Sequence, residues 1–350
     1  MGRNLKESLL AMGAGLLSGM GSPRFLHSRV YRNQLSILMY HAVIREPLQV
    51  RDWCFLDEDA FRKQISYVKQ HFRVVPLSEA IQMLTTGSLD VPTLAITFDD
   101  GYQNNYDVAF PILANYDCPA TIFLSTRYID SDRTLWFCRL NLALALSAKR
   151  SLMWNGVSLD ISRPAQKASA SVVLRQALKT RHPFSIDELV TDICQKLEVN
   201  PDRKFESGSP YHLLRTDAIR CMMKSGLIDF GAHTHNHAIL SHLSPTEQQD
   251  EISGSIKLVE RLTGRPCKSF AYPNGSADDY DLSSIEILKS AGVETAVSTL
   301  SGPNTRSTPL LELRRYGVGS DLDLFKFMVR HVTHRIRQIG AHRKHAAPIN

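Results

Sequence analysis

The stretch Leu94-Ala95-Ile96-Thr97-Phe98-Asp99-Asp100-Gly101-Tyr102 limits what this chain can become more than any other. A short apolar run with a β-branched residue reads as a buried strand, and it stops in two adjacent acids and a turn-forming glycine. Neighbouring side chains of a strand point to opposite faces, so Asp99 and Asp100 share one site only if the strand breaks there, and Gly101 permits that break. Adjacent acids repel, which points to a cation for one of them. Read alone, the other acid also suits the cap of a helix starting near Asn104.

The same strand-then-helix pattern recurs on both sides. Ile37 to His41 reads as a strand, followed by a helix over Asp57 to Phe72 with Phe61, Ile65, Val68 and Phe72 at helical spacing and Asp57 or Asp59 as cap. A second helix over Ser78 to Leu84 ends at Gly87. Ala120 to Leu124, Leu227 to Ala232, Ser269 to Tyr272, Thr295 to Thr299 and Leu313 to Val318 read as further strands. Helices are expected at Glu247 to Leu262, Leu282 to Ala291 and Leu322 to Val332. Such alternation builds parallel βαβ units. It pauses over about residues 131–226, where Leu140 to Leu146 and Ser171 to Thr180 look helical, so this interval is expected to be a largely helical insertion of the lid or binding-loop kind.

The charge sits at the ends. Residues 1–35 carry five basic side chains against Glu7, and residues 331–350 carry Arg335, Arg337, Arg343 and Lys344 with no acid; with a formal net charge of +6, the body is left slightly acidic. Basic ends suit an anionic lipid surface as well as plain solvation, and nothing in them specifies a nucleic acid. The apolar run Ser8 to Met20, about 13 residues long, is too short to span a bilayer and is broken by Gly13, Gly15 and Gly19. It lacks a good cleavage site, and Lys6 spoils a myristoylation signal. The expectation is an interfacial segment on a cytoplasmic or peripheral membrane protein, with secretion by an atypical signal as the alternative. Six scattered cysteines without a Cys-x-x-Cys pair read as reduced core residues.

A second concentration of chemistry follows a strand, in Gly231-Ala232-His233-Thr234-His235-Asn236-His237. His233 and His237 share a face if the chain turns helically; His233 with His235, or His235 with His237, share one if it stays extended. Two imidazoles and one carboxylate make a catalytic zinc set with a position left for water. Tyr40-His41, Phe270-Ala271-Tyr272-Pro273-Asn274-Gly275 and Leu313-Arg314-Arg315-Tyr316 also lie at strand ends, and in a parallel barrel all such ends open on one face.

Thr97-Phe98-Asp99-Asp100-Gly101-Tyr102 and His233-Thr234-His235-Asn236-His237 resemble the two leading signatures of the polysaccharide deacetylases (the NodB-homology domain, carbohydrate esterase family four), in the family's order and strand context. The likeness covers about residues 36–330 and is nearest the branch associated with exopolysaccharide and biofilm-polymer synthesis, where Met-Tyr-His and Ala-Tyr-Pro-x-Gly segments also occur. It implies an α/β fold, a distorted (β/α)7-8 barrel, flanked by a basic N-terminal segment (1–35) and a basic tail (331–350). By the same resemblance Asp100, His233 and His237 ligate a divalent metal, commonly Zn2+; Asp99 is the general base, Thr234 orients the turn and His41 is the general acid. Tyr272 and the backbone beside it would hold the acetyl group. Independently of the resemblance, Trp136 in the insertion suits stacking on a sugar ring and burial in the core equally. The family's base-steadying arginine is missing before Tyr272, so Arg314 or Arg315 is expected to replace it, with Arg314 a candidate site residue. A late Leu-x-His signature is also absent.

The implied function is metal-dependent hydrolysis of N-acetyl groups on the amino sugars of a polysaccharide or its lipid-linked precursor. An O-deacetylase or another metal amidohydrolase is the alternative enzyme, and a non-catalytic glycan-binding protein the alternative of another class.

Overall fold

The computed structural model describes residues 33–201 and 208–329, so the expectations for the N-terminal apolar run and the basic tail lie outside the described residues. The chain opens with β1 (Leu35–Tyr40), β2 (Ala42–Ile44), β3 (Phe55–Asp57), α1 (Glu58–His71), β4 (Arg73–Val74), α2 (Leu77–Thr86) and β5 (Thr93–Phe98). A π-helical turn at Asn105–Ala109 runs into α3 (Phe110–Asn115), and β6 (Ala120–Leu124) follows. The insertion then supplies α4 (Trp136–Leu146), the hairpin β7 (Ser151–Trp154) and β8 (Val157–Asp160), α5 (Pro164–Lys179) and α6 (Ile186–Lys196). After α7 (Thr216–Lys224) the alternation resumes with β9 (Ile228–Ala232), α8 (Pro245–Thr263), β10 (Ser269–Ala271), α9 (Leu282–Ser290), β11 (Thr295–Val297), β12 (Tyr316–Gly317) and α10 (Leu322–Val329).

The main sheet has eight strands, parallel throughout, in the order β11-β10-β9-β6-β5-β1-β12, with β4 also pairing β5. β4 lies along Thr93 and Leu94 while β6 lies along Ile96 to Phe98, so the two share one flank of β5. A parallel bridge from Val297 to Leu313 carries the curl towards β12 and nearly closes it. The result is the expected distorted barrel. Its strands are apolar on both faces because both faces are covered. In β1 and β5, Leu38, Tyr40, Leu94, Ile96 and Phe98 join the core under the outer helices, whereas Leu35, Ile37 and Ala95 join Phe123, Ala271, Val297 and Leu313 inside the curl, floored by α2.

Local signals explain the helix ends. Asp57 caps α1 by accepting from the Asp59 and Ala60 amides, and Ser244 with Glu247 forms a capping box on α8. The insertion has its own core, in which Leu140, Leu144, Leu174, Leu178 and Ile193 pack on Ala42, Phe55 and Tyr102 of the barrel. It is less purely helical than expected, because β7 and β8 form an antiparallel hairpin around Asn155-Gly156, both at positive φ. All six cysteines are free, and five are buried. No helix among the described residues is long and apolar enough to cross a membrane.

Candidate active site

Because the strands are parallel, their C-terminal ends share one rim, and the register brings the polar residues after them together. Tyr40 pairs with Phe98, so His41 and Asp99 leave the sheet side by side, and the Asp99 amide donates to Tyr40 O at 2.9 Å. Leu124 pairs with Ala232, and the His233 amide donates to Leu124 O at 3.0 Å.

The expected break in the strand is present and begins one residue before the glycine. Asp100 adopts φ 73° and Gly101 φ 81°, with the Gly101 amide donating to Asp99 O at 2.9 Å. This is the rare γ-turn that turns two adjacent carboxylates towards one cavity. A side chain at Gly101 would meet Leu124 Cδ2 at 2.7 Å, so both space and φ require glycine there. Thr234 (φ 59°) and His237 (φ 56°) are also left-handed. Four-apart spacing prevails: Thr234 Oγ1 accepts from the Ala238 amide at 3.1 Å, and the turn brings the His233 and His237 rings to 4.9 Å between centroids. His235 points elsewhere, its Nδ1 2.9 Å from Thr126 Oγ1.

Asp100, His233 and His237 each present one ligand atom, all within 4.8 Å of one another. His237 Nε2 lies 3.2 Å and His233 Nε2 3.6 Å from Asp100 Oδ1, yet neither Asp100 oxygen accepts a hydrogen bond. A buried carboxylate without donors is costly unless a cation neutralises it. The His233 Nδ1–H donates to Ala271 O at 2.7 Å, which leaves the Nε2 lone pair facing Asp100. Burial pushes the His233 ring down to about 4 against the opposing pull of Asp99, so it is neutral and able to ligate at neutral pH. Two imidazoles and one orphaned carboxylate therefore fit a divalent cation.

Asp99 has a different environment. Burial alone would raise its carboxyl, but the Arg315 guanidinium and then His233 outweigh that and hold it below the usual carboxylate range. Arg315 Nη1 and Nη2 each lie 2.7 Å from one Asp99 oxygen, while its Nε donates to Ser298 O at 2.9 Å and Nη1 also reaches Thr97 Oγ1 at 3.2 Å. Arg315 is 0% exposed. The expected Arg314 is corrected here. On an extended segment neighbouring side chains alternate, and Arg315 takes the buried side against Asp99 while Arg314 stays partly exposed.

A cavity of about 320 Å³ opens on this rim and is lined by His41, Asp99, Asp100, Trp136, His233 and His237 among others. Trp136 shows only a 7% exposed surface. Tyr272 is a second correction. Its hydroxyl donates to Leu311 O at 2.9 Å, its ring stacks on Tyr280 at 4.0 Å, and its amide donates to Val297 O at 3.1 Å, so side chain and amide are engaged in the core and Tyr272 does not line the cavity. Asn274 and Thr299 line that side of the cavity instead.

Trp53, Asp52 and Arg175 also belong to this site. Trp53 lines the cavity at 60% exposure and packs edge-on against His41, with centroids 5.1 Å apart. Asp52 accepts from the Cys54 amide (3.2 Å), Asn141 Nδ2 (2.8 Å) and Arg175 Nη1 (2.6 Å), and so pins the Trp53 loop to α4 and α5. These residues stand in no motif, and only the packing of the insertion against the rim brings them to the cavity.

Comparison with known proteins agrees with this geometry. The family model for polysaccharide deacetylase matches residues 86–296, more than half of the chain. Poly-beta-1,6-N-acetyl-D-glucosamine N-deacetylase of Staphylococcus epidermidis is 28% identical over 215 residues, covering 56% of this chain and 71% of that protein. Among solved structures, the Streptococcus pyogenes deacetylase PplD, in complex with acetate, aligns with TM-score 0.56 at 20% identity over 84% of this chain and 98% of its own. IcaB from Ammonifex degensii aligns with TM-score 0.54 at 18% identity over 85% and 96%. These two likenesses speak for the fold. With a family match over most of the barrel and the two signature segments converging at one rim, the chain belongs to the polysaccharide deacetylase family.

Proposed function

We propose that the protein hydrolyses N-acetyl groups on amino sugars of a polysaccharide or its lipid-linked precursor. The observation that carries this reading is the buried Asp100 carboxylate, without a hydrogen-bond donor and flanked by two imidazoles, beside a second acid held ionised by Arg315. Asp100, His233 and His237 are the ligands for a divalent cation, with Zn2+ favoured by the two-imidazole, one-carboxylate set. When bound, such an ion polarises the acetamide carbonyl and acidifies a neighbouring water.

Asp99 accepts the proton of the attacking water. Each of its oxygens spends one acceptor site on Arg315 and keeps another free. The same guanidinium keeps Asp99 ionised through neutral pH and fixes its orientation, at the expense of making it a weak base. His41, at the end of β1 and lining the cavity, protonates the departing amine. Water and the amide are consumed; acetate and a free amino sugar leave. The exposed face of Trp53 offers an apolar surface for a sugar ring at the mouth.

The experiment is acetate release from poly-N-acetylglucosamine, chitooligosaccharides and an O-acetylated xylan, before and after chelation and with divalent metal restored. Release from N-acetylated substrates alone, lost on chelation and recovered with metal, is expected. Release from the O-acetyl substrate alone would overturn the N-deacetylase reading. His41→Ala is expected to lower kcat by about 10²-fold or more at unchanged metal content. A loss below about threefold would move the acid role to another group.

A further inference from the structure

The last turn of α5 and the residues after it face the same cavity as the proposed metal ligands. Arg175, Lys179 and Arg181 all line it. Three cations on one wall repel, and the structure answers only one of them. Arg175 is paired with Asp52 at 2.6 Å, and its guanidinium stands 5.3 Å over the Phe137 ring, which in turn packs edge-on against His237 at 5.4 Å. Arg175 is thus committed to holding the wall in place.

Lys179 is half-buried, and among the described residues no ion pair or side-chain hydrogen bond reaches it. Burial and the Arg175 charge push its ammonium below its ordinary range, while Asp279, also in the cavity wall, opposes them without approaching to ion-pair distance. The carboxyl-terminal end of α5 partly accommodates Lys179 through its dipole. It does not account for Arg181, which lies beyond the helix at the rim with no ion pair among the described residues. Neither Asp99, whose charge is paired with Arg315, nor Asp100, grouped with His233 and His237, forms an ion pair with these cations. Lys179 and Arg181 are thus left without an ion pair among the described residues, with Asp279 as the carboxylate on their own wall.

We propose that Lys179 and Arg181 form an anion subsite, so that the preferred substrate is an N-acetyl amino sugar carrying an anionic oxygen group, a phosphate ester or a carboxylate, near its acetamide. This rests on the N-deacetylase reading for the position of the acetamide. Arginine and lysine both bind such oxygen anions; the half-buried Lys179 charge is screened less than one at an open surface, and Arg181 adds an exposed cation at the rim. The insertion therefore sets specificity as well as shaping the cleft.

The test compares an N-acetyl amino sugar 1-phosphate, an N-acetyl amino sugar bearing a carboxylate and a neutral methyl N-acetylglucosaminide. Calorimetric binding and acetate release are measured on the full-length protein and on the Lys179→Gln/Arg181→Gln variant. At least one anionic ligand is expected to bind about tenfold tighter than the neutral one, weakening with salt, and kcat/KM should follow the same order. The anionic ligand that shows the gain identifies the source of the charge. In the double variant the anionic-to-neutral ratio is expected to fall towards one, with the circular dichroism spectrum of the parent retained. Equal binding of all three by the parent, or an anionic preference that survives in the double variant, overturns the proposal. If the anionic ligand binds preferentially but no acetate appears from any substrate, the deacetylase reading fails and the anion subsite stands.

Discussion

Asp99→Asn is expected to abolish turnover while leaving metal binding intact. The amide is nearly the same size and accepts one hydrogen bond from Arg315, but it cannot take a proton from water. The loss should fall in kcat, by about 10²- to 10⁴-fold, the range for a positioned general base. Metal content should persist because Asp99 is not among the three converging ligand atoms. Asp100→Asn inverts the pattern, removing metal and activity together. Elemental analysis of both purified variants alongside acetate release separates the two acids. A near-normal rate for Asp99→Asn would remove it from the proton-transfer role.

Arg315→Met is expected to cost more stability than any other single change at the site. Arg315 is wholly buried and binds Asp99 through two parallel bonds of 2.7 Å. Removing one member of such a pair leaves an uncompensated buried charge, at about 3–5 kcal/mol. The pH dependence has a definite sign. In the parent, Asp99 is held below its unfolded value, so the pair stabilises the fold above the ordinary carboxylate range, and that contribution is lost as pH falls towards the lowered value. In the variant, burial without the guanidinium raises the Asp99 carboxyl, so its penalty is present at neutral pH and relieved by protonation on acidification. Urea unfolding at pH 7 and near pH 4 should therefore show a gap between parent and variant that narrows in acid. A gap under about 1 kcal/mol at pH 7, or one that widens in acid, would contradict this account of the pair.

The parts legible in the sequence are those where local pattern and tertiary need coincide. β5 could be read because a strand covered on both faces must be apolar throughout, and Asp99-Asp100-Gly101 marks its end. The pairing of His233 with His237 required the family likeness, since the residues alone allow extended alternatives that the left-handed Thr234 and His237 exclude. Arg314 and Arg315 were inseparable by composition, because which of two neighbours faces inward depends on the register of an extended segment fixed by distant partners. Tyr272 misled for the same reason, its ring turning into the core against Tyr280. Asn155-Gly156 between two short runs is a hairpin signal that helical expectations for the insertion overlooked. Trp53 and Arg175 were beyond reach, since Asp52 joins them across more than a hundred residues.

The most direct measurement is diffraction from crystals grown with zinc, recorded above and below the zinc absorption edge. The account predicts one anomalous peak bonded to Asp100, His233 Nε2 and His237 Nε2 at about 2.0–2.2 Å, with an open position facing the cavity. An anomalous map without density between these three residues, or with its peak on other side chains, would contradict it.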